Sequence, residues 1–146
     1  MKRSLVMVKA RRDARSHCPI NFGLEIFGDR WTLLVLRDLL LQGKRSFKEF
    51  QSSEEGISTN ILADRLERLT RSGLVTAERV PGDNRQIRYE PTARGHALLP
   101  VLVEMAYWGA KYDPQTAAPG SFIQAYDTDR AGLLESIRTG TDPSKG

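Results

Sequence analysis

Apolar positions fall into helical spacing three times along the chain and alternate once, with polar or glycine-bearing breaks between the blocks. In INFGLEIFGDRWTLLVLRDLLLQG, residues 20–43, Leu24, Phe27, Trp31, Leu34 and Leu36 recur near a helical period. This predicts one helix from about residue 20 to Leu41, broken around Gly28 and Asp29. Pro19 suits its first position, where a missing N–H costs nothing, and Gly43 suits its C-terminal cap. Ser46 followed by Glu49 is a capping box that opens a short second helix with Phe47 and Phe50 inward. After the turn at Glu54–Gly56, Ile57 is placed to staple onto Leu62, and Leu62, Leu66 and Leu69 form the core stripe of a third helix that ends at Gly73. LVTAERV reads as a strand, PGDN as a turn, and RQIRYE as the returning strand with Ile87 and Tyr89 on one face. Thr92 is placed to cap a long helix from about Ala93 to Lys111 with Leu98, Val101, Leu102, Met105 and Trp108 apolar. A loop follows Asp113, and residues 129–138, DRAGLLESIR, suit one more short helix.

Helix, short helix, tight turn, capped helix, hairpin, helix is the order of a winged helix-turn-helix domain, mainly α with a small β-hairpin wing. Two strands are too few to be stable alone, so the hairpin must lie against the helices. Such a unit presents one helix to the DNA major groove and the wing beside it. The third helix suits that role. A helix that only fills a core needs no Ser58, Thr59 and Asn60 at its entrance, nor Arg65, Arg68 and Arg71 along its sides. Asn bonds adenine through two hydrogen bonds, and Thr offers a hydroxyl and a methyl. Arg65 and Arg68 flank the helix, within reach of guanine edges or phosphates; Arg85 and Arg88, on the hairpin, suit backbone or minor-groove contact, and Arg45, before the second helix, is a further expected DNA contact. Asp64 and Glu67 are expected to pair with arginines of the same helix. For any single arginine an ordinary solvated face is the competing reading; the order of elements favours double-stranded DNA.

The bulk numbers fit. The 146 residues suit one domain with a core, and the net charge of +4 permits a polyanion partner without requiring one. The excess is concentrated: residues 1–20 carry six Lys and Arg against Asp13 alone. No apolar run is long enough to span a bilayer, so no membrane partner is expected, and the basic start is a poor signal peptide. The single cysteine excludes an internal disulfide and points to a reducing cytoplasm. With two histidines there is neither zinc-ligand spacing nor a convincing nucleophile–base–acid set, and no phosphate-cradling glycine loop. Neither cofactor nor enzymatic activity is expected. A non-catalytic protein-interaction module is the alternative, separable by its lack of salt-sensitive DNA affinity.

The segments CPINFGLEIFGDRWTLLVLRDLLLQGKRSFKEF, GISTNILADRLERLTRSGLV and RYEPTARGHALLPVLVEMAYW resemble the HxlR family of bacterial winged-helix regulators over roughly residues 18–112. The markers are Cys-Pro at the front, Gly-Asp-Arg-Trp, Arg-Ser-Phe, Gly-Ile-Ser and the closing Ala-Tyr-Trp. The resemblance implies a cytoplasmic, nucleoid-associated homodimer on palindrome-like operators, with terminal helices at the dimer interface; here that assigns Phe22, Leu98, Leu102, Met105 and Trp108. It divides the chain into a basic arm (1–17), the DNA-binding and dimerisation domain (18–112) and a C-terminal extension (113–146). Some family members sense oxidants or electrophiles through a cysteine in the position of Cys18, which makes a small-molecule or electrophile effector the expected input. Two readings of Cys18 stand: a sensor whose thiolate is favoured by the helix start at Pro19 and by nearby Arg12, Arg15 and His17, or a small buried residue.

Overall fold

A computed structural model describes residues 16–140, the side chain of Asn84 excepted. Most of the expected basic arm, 1–17, lies outside the described residues. The chain divides into two compact units between Gly95 and His96.

In the first unit, α1 spans Pro19–Phe27 and α2 Arg30–Leu40. The expected break at Gly28 and Asp29 separates two helices, because the Asp29 carboxylate accepts from the backbone N–H groups of Trp31 and Thr32 and so starts a new one. This divides the apolar stripe. Leu36 is fully buried, with Val35 and Leu39, while Trp31 and Leu34 are half-buried and Leu24 is exposed. The Ser46–Glu49 capping box forms as expected and starts α3, Phe47–Gln51; Phe50 is buried and Phe47 half-buried. Ser58 caps α4, Thr59–Arg71, whose Leu62, Leu66 and Leu69 are all buried. Gly73 takes a φ of 77°, the left-handed conformation that ends a helix without Cβ strain.

Strands β1, Val75–Val80, and β2, Asp83–Pro91, pair antiparallel, from Val75 opposite Pro91 to Val80 opposite Asp83. The turn is Pro81–Gly82, with Gly82 at φ 84°, so β2 begins two residues earlier than its alternation suggests. Tyr89 is buried and meets the Phe50 ring edge-on at 6.1 Å, but Ile87 on the same face is exposed. Ser46 bridges to Arg88, and the Tyr89 N–H donates to the Arg45 carbonyl at 2.8 Å, tying the hairpin to the start of α3.

The long helix expected over 93–111 is two: α5, Ala93–His96, and α6, Leu99–Tyr112. Pro100 explains the break. It has no N–H, and its ring clashes with the carbonyl four residues back, so it sits in the first turn of α6.

In the second unit α6 pairs with α7, Gly120–Thr139, which bends at Asp129, where the backbone leaves helical geometry. The Asp129 carboxylate accepts from the Gly132 N–H at 3.0 Å and caps the second half. This helix starts nine residues before the short one expected at 129. The loop-like composition of its first turn hides it, and packing stabilises it: Phe122 is buried, and Tyr126 stacks on Tyr107 at 3.7 Å. The Tyr126 hydroxyl donates to Glu104, which also accepts from Arg130 at 2.7 Å. Among the described residues no helix is long and apolar enough to cross a membrane, and no group of three His, Cys, Asp or Glu side chains is placed to hold a metal.

Candidate nucleic-acid interface

Helix α4 turns its leucine stripe inward, so the opposite residues are exposed by geometry: Thr59, Asn60, Ala63, Asp64 and Glu67. Its entrance is polar and small, as the sequence suggests. Ser58, however, uses its hydroxyl on the Ile61 N–H at 3.2 Å, which makes it a cap first. Thr59 accepts from the Gln51 amide at 3.0 Å. That bond brings α3 to the entrance of α4 and adds Gln51, with exposed Lys48 three residues before it on the same face, to the candidate surface. Both escaped the sequence reading. The available signal was that the helix before a recognition helix flanks its entrance.

Two of the expected DNA contacts, Arg65 and Arg45, also pair within the chain. Arg65 donates through Nε to Asp29 at 2.7 Å and through Nη1 to Asp64 at 2.5 Å, and only 18% of its side chain is exposed. The Arg45 guanidinium donates to the carbonyls of Leu39 and Lys44, at 2.7 and 2.9 Å, and to Glu90 at 3.2 Å. An arginine presents its donors in a rigid fork; in both side chains Nε and Nη1 are engaged by carbonyls or carboxylates of this chain. Arg68 stays half-exposed, 3.7 Å from Asp64, and Glu67 lies 3.9 Å from Arg71. The two acidic groups on α4 thus face arginines of the same helix, as expected.

On the wing, Arg85 and Arg88 are both exposed. Strand alternation puts Arg85 on the face of Ile87 and Tyr89, and Arg88 on the other. Arg88 pairs with Glu90 at 2.6 Å.

The turn before α4 is held by a charged network. Arg37 donates to both Glu55 oxygens, at 2.7 and 2.9 Å, and to Asp38 and Ser53. Asp38 is buried and also accepts from Lys44 at 3.2 Å. The hydrogen bonds from Arg37, then Ser53, bring the Glu55 carboxyl down to about 2, against a small opposing effect of burial. At Asp29 burial acts upward, but hydrogen bonds from Thr32, Arg65 and the Trp31 and Thr32 N–H groups outweigh it and hold the carboxyl far below the usual range.

Cys18 is exposed at the N-cap of α1 in the single chain. Of the expected interface residues, Phe22 and Leu98 are half-buried and Met105 and Trp108 are exposed. Leu102 is buried within the single chain. Apolar residues surround α6, so one side is covered at home. The opposite side shows Met105, Trp108 and Tyr112, spaced by three and four residues, with the two rings 5.3 Å apart.

The family model for the HxlR-like helix-turn-helix matches residues 26–117. The chain is 30% identical over 106 residues to the uncharacterized HTH-type transcriptional regulator sll1512 of Synechocystis, covering 73% of this chain and 78% of that one. Among solved structures, a candidate transcription factor, PA1607, superposes with a TM-score of 0.64 at 35% identity, over 70% of this chain and 72% of the other. The redox regulator HypR in its oxidized form gives 0.55 at 29% identity, over 64% and 96%.

Proposed function

The chain belongs to the HxlR-like helix-turn-helix family of transcriptional regulators, and on that premise we propose that it works as a homodimer reading a palindrome-like operator in double-stranded DNA. One observation carries the reading. The first turn of α4 shows Thr59, Asn60 and Ala63 to solvent while Leu62, Leu66 and Leu69 behind it are buried. That surface is small enough to enter a major groove and polar enough to read base edges. Arg85 on the wing and Lys48 on α3 supply flanking positive charge. Arg68 and Arg88 are second-rank contacts, because Asp64 and Glu90 compete for them.

Asn60→Ala tests the base-reading role. It should cost about 1–3 kcal/mol on a sequence selected from a randomised duplex library and relax preference at one position. Arg85→Ala should weaken selected and random duplexes alike and make the salt dependence shallower by about one unit. Equal losses for both variants on both duplexes would refute the assignment of α4. A protein with no salt-sensitive DNA affinity at all would be the interaction module instead.

The dimer rests on the exposed Met105, Trp108 and Tyr112 face, since apolar patches of this kind mark interfaces. A two-fold dimer sets its recognition helices about one DNA turn, roughly 34 Å, apart. The input we assign is thiol chemistry at Cys18. It is exposed, and it precedes a helix opened by Pro19, where partial positive charge favours the thiolate; the similarity to a redox regulator supports the same reading. Location in the cytoplasm follows from this function.

A further inference from the structure

We propose that the Asp29–Arg65 ion pair is the strut that fixes the rotation of α4, making both side chains positioning residues for sequence discrimination and Arg65 not a DNA contact. The inference rests on the DNA-binding reading above.

The leucine stripe alone does not fix that rotation. Apolar burial is non-directional, and Leu62, Leu66 and Leu69 keep α4 on the core while tolerating small turns about its axis. A directional contact off the stripe is needed. Arg65 supplies it: it adjoins Leu66, and its Nε reaches Asp29 at 2.7 Å. The receiving end is itself rigid. One Asp29 oxygen accepts from the N–H groups of Trp31 and Thr32 at 3.0 and 3.2 Å, and the other from the Thr32 hydroxyl at 2.5 Å. The carboxylate is thereby locked to the first turn of α2, and Thr32, Val35, Leu36 and Leu39 bury that helix in the core. A locked carboxylate holding a rigid guanidinium sets an angle as well as a distance. Asp64 takes Nη1 of the same guanidinium at 2.5 Å, so carboxylates of this chain engage two of its three nitrogens. Asp29 is also the joint at which α1 ends and α2 begins. The Asp29 carboxylate therefore links the junction of α1 and α2 directly to the recognition helix.

The test uses the full chain and two labelled duplexes: the sequence it selects from a randomised library, and a random duplex of the same length. Each is titrated between 50 and 200 mM salt. Asp29→Asn keeps the helix cap, since Asn caps as well as Asp, but removes the charge; Arg65→Gln removes the other partner. Each variant should bind the selected duplex about tenfold more weakly, and the double variant no more weakly than either single one. Affinity for the random duplex and the salt slope should stay at wild-type values. If Arg65→Gln instead lowers both affinities and flattens the slope by about one unit while Asp29→Asn changes nothing, Arg65 is a phosphate contact and the strut is refuted. Undiminished discrimination in both variants would also refute it. Thermal melts accompany each titration; should Arg65→Gln unfold, Asp29→Asn alone decides between these outcomes. A wild type that binds neither duplex overturns the parent reading as well, a result distinct from loss of discrimination alone.

Discussion

Glu55 gives up its proton far more readily than an ordinary glutamate, and the reason lies in two hydrogen bonds from Arg37 and one from Ser53. A carboxyl lowered from 4.5 to about 2 on folding binds more protons unfolded than folded in that interval. Its contribution is therefore complete above about pH 5 and disappears as pH falls toward 2. Urea melts of wild type and Glu55→Gln should differ most at pH 6 and converge by pH 2; a constant gap would show that this network does not depend on the charge of Glu55. Cys18 is tested by modification: peroxide should change operator affinity in wild type but not in Cys18→Ser. Unchanged affinity after peroxide would remove the thiol from the mechanism.

Caps and stripes decide the elements. Ser46 and Ser58 each satisfy an N–H at a helix start, so replacing either by Ala should lower stability by about 1 kcal/mol. Ser58→Ala should also fray the turn that presents Thr59 and Asn60, and hydrogen exchange at Ile61 would register it. Leu66→Ala, at a position 2% exposed, should cost about 2–5 kcal/mol. These features were legible in the chain because they are local: a cap lies three residues from its partner, and a stripe repeats within one helix. The break before α6 was equally local, in Pro100, yet the apolar run through Leu98 and Val101 masks it.

For the whole molecule the expected state is a dimer through the outer side of α6. Trp108→Glu, at a site 68% exposed in the single chain, should leave the fold intact and shift sedimentation toward monomer. Leu102→Ala should instead destabilise the chain, since Leu102 is buried in one copy. A wild type that sediments as a monomer at micromolar concentration would defeat this assignment. Dimer loss should reduce operator affinity more than affinity for random DNA, because only a palindrome needs two heads at fixed spacing.

The sequence by itself determined the order of elements through the hairpin, the buried stripe of α4, its polar entrance and the family. All of these depend on spacing within a few residues or on motifs in fixed order. Only the tertiary structure decided what the arginines do. Arg45 and Arg65 look, in the chain, like any cation beside a recognition helix. Their partners Glu90 and Asp29 lie 45 and 36 residues away, beyond any periodicity, and a guanidinium goes where the fold places a carboxylate. The same holds for α6, whose apolar residues surround the helix: which side is covered at home and which is left for a partner depended on where α7 packs, and no spacing along the chain records that.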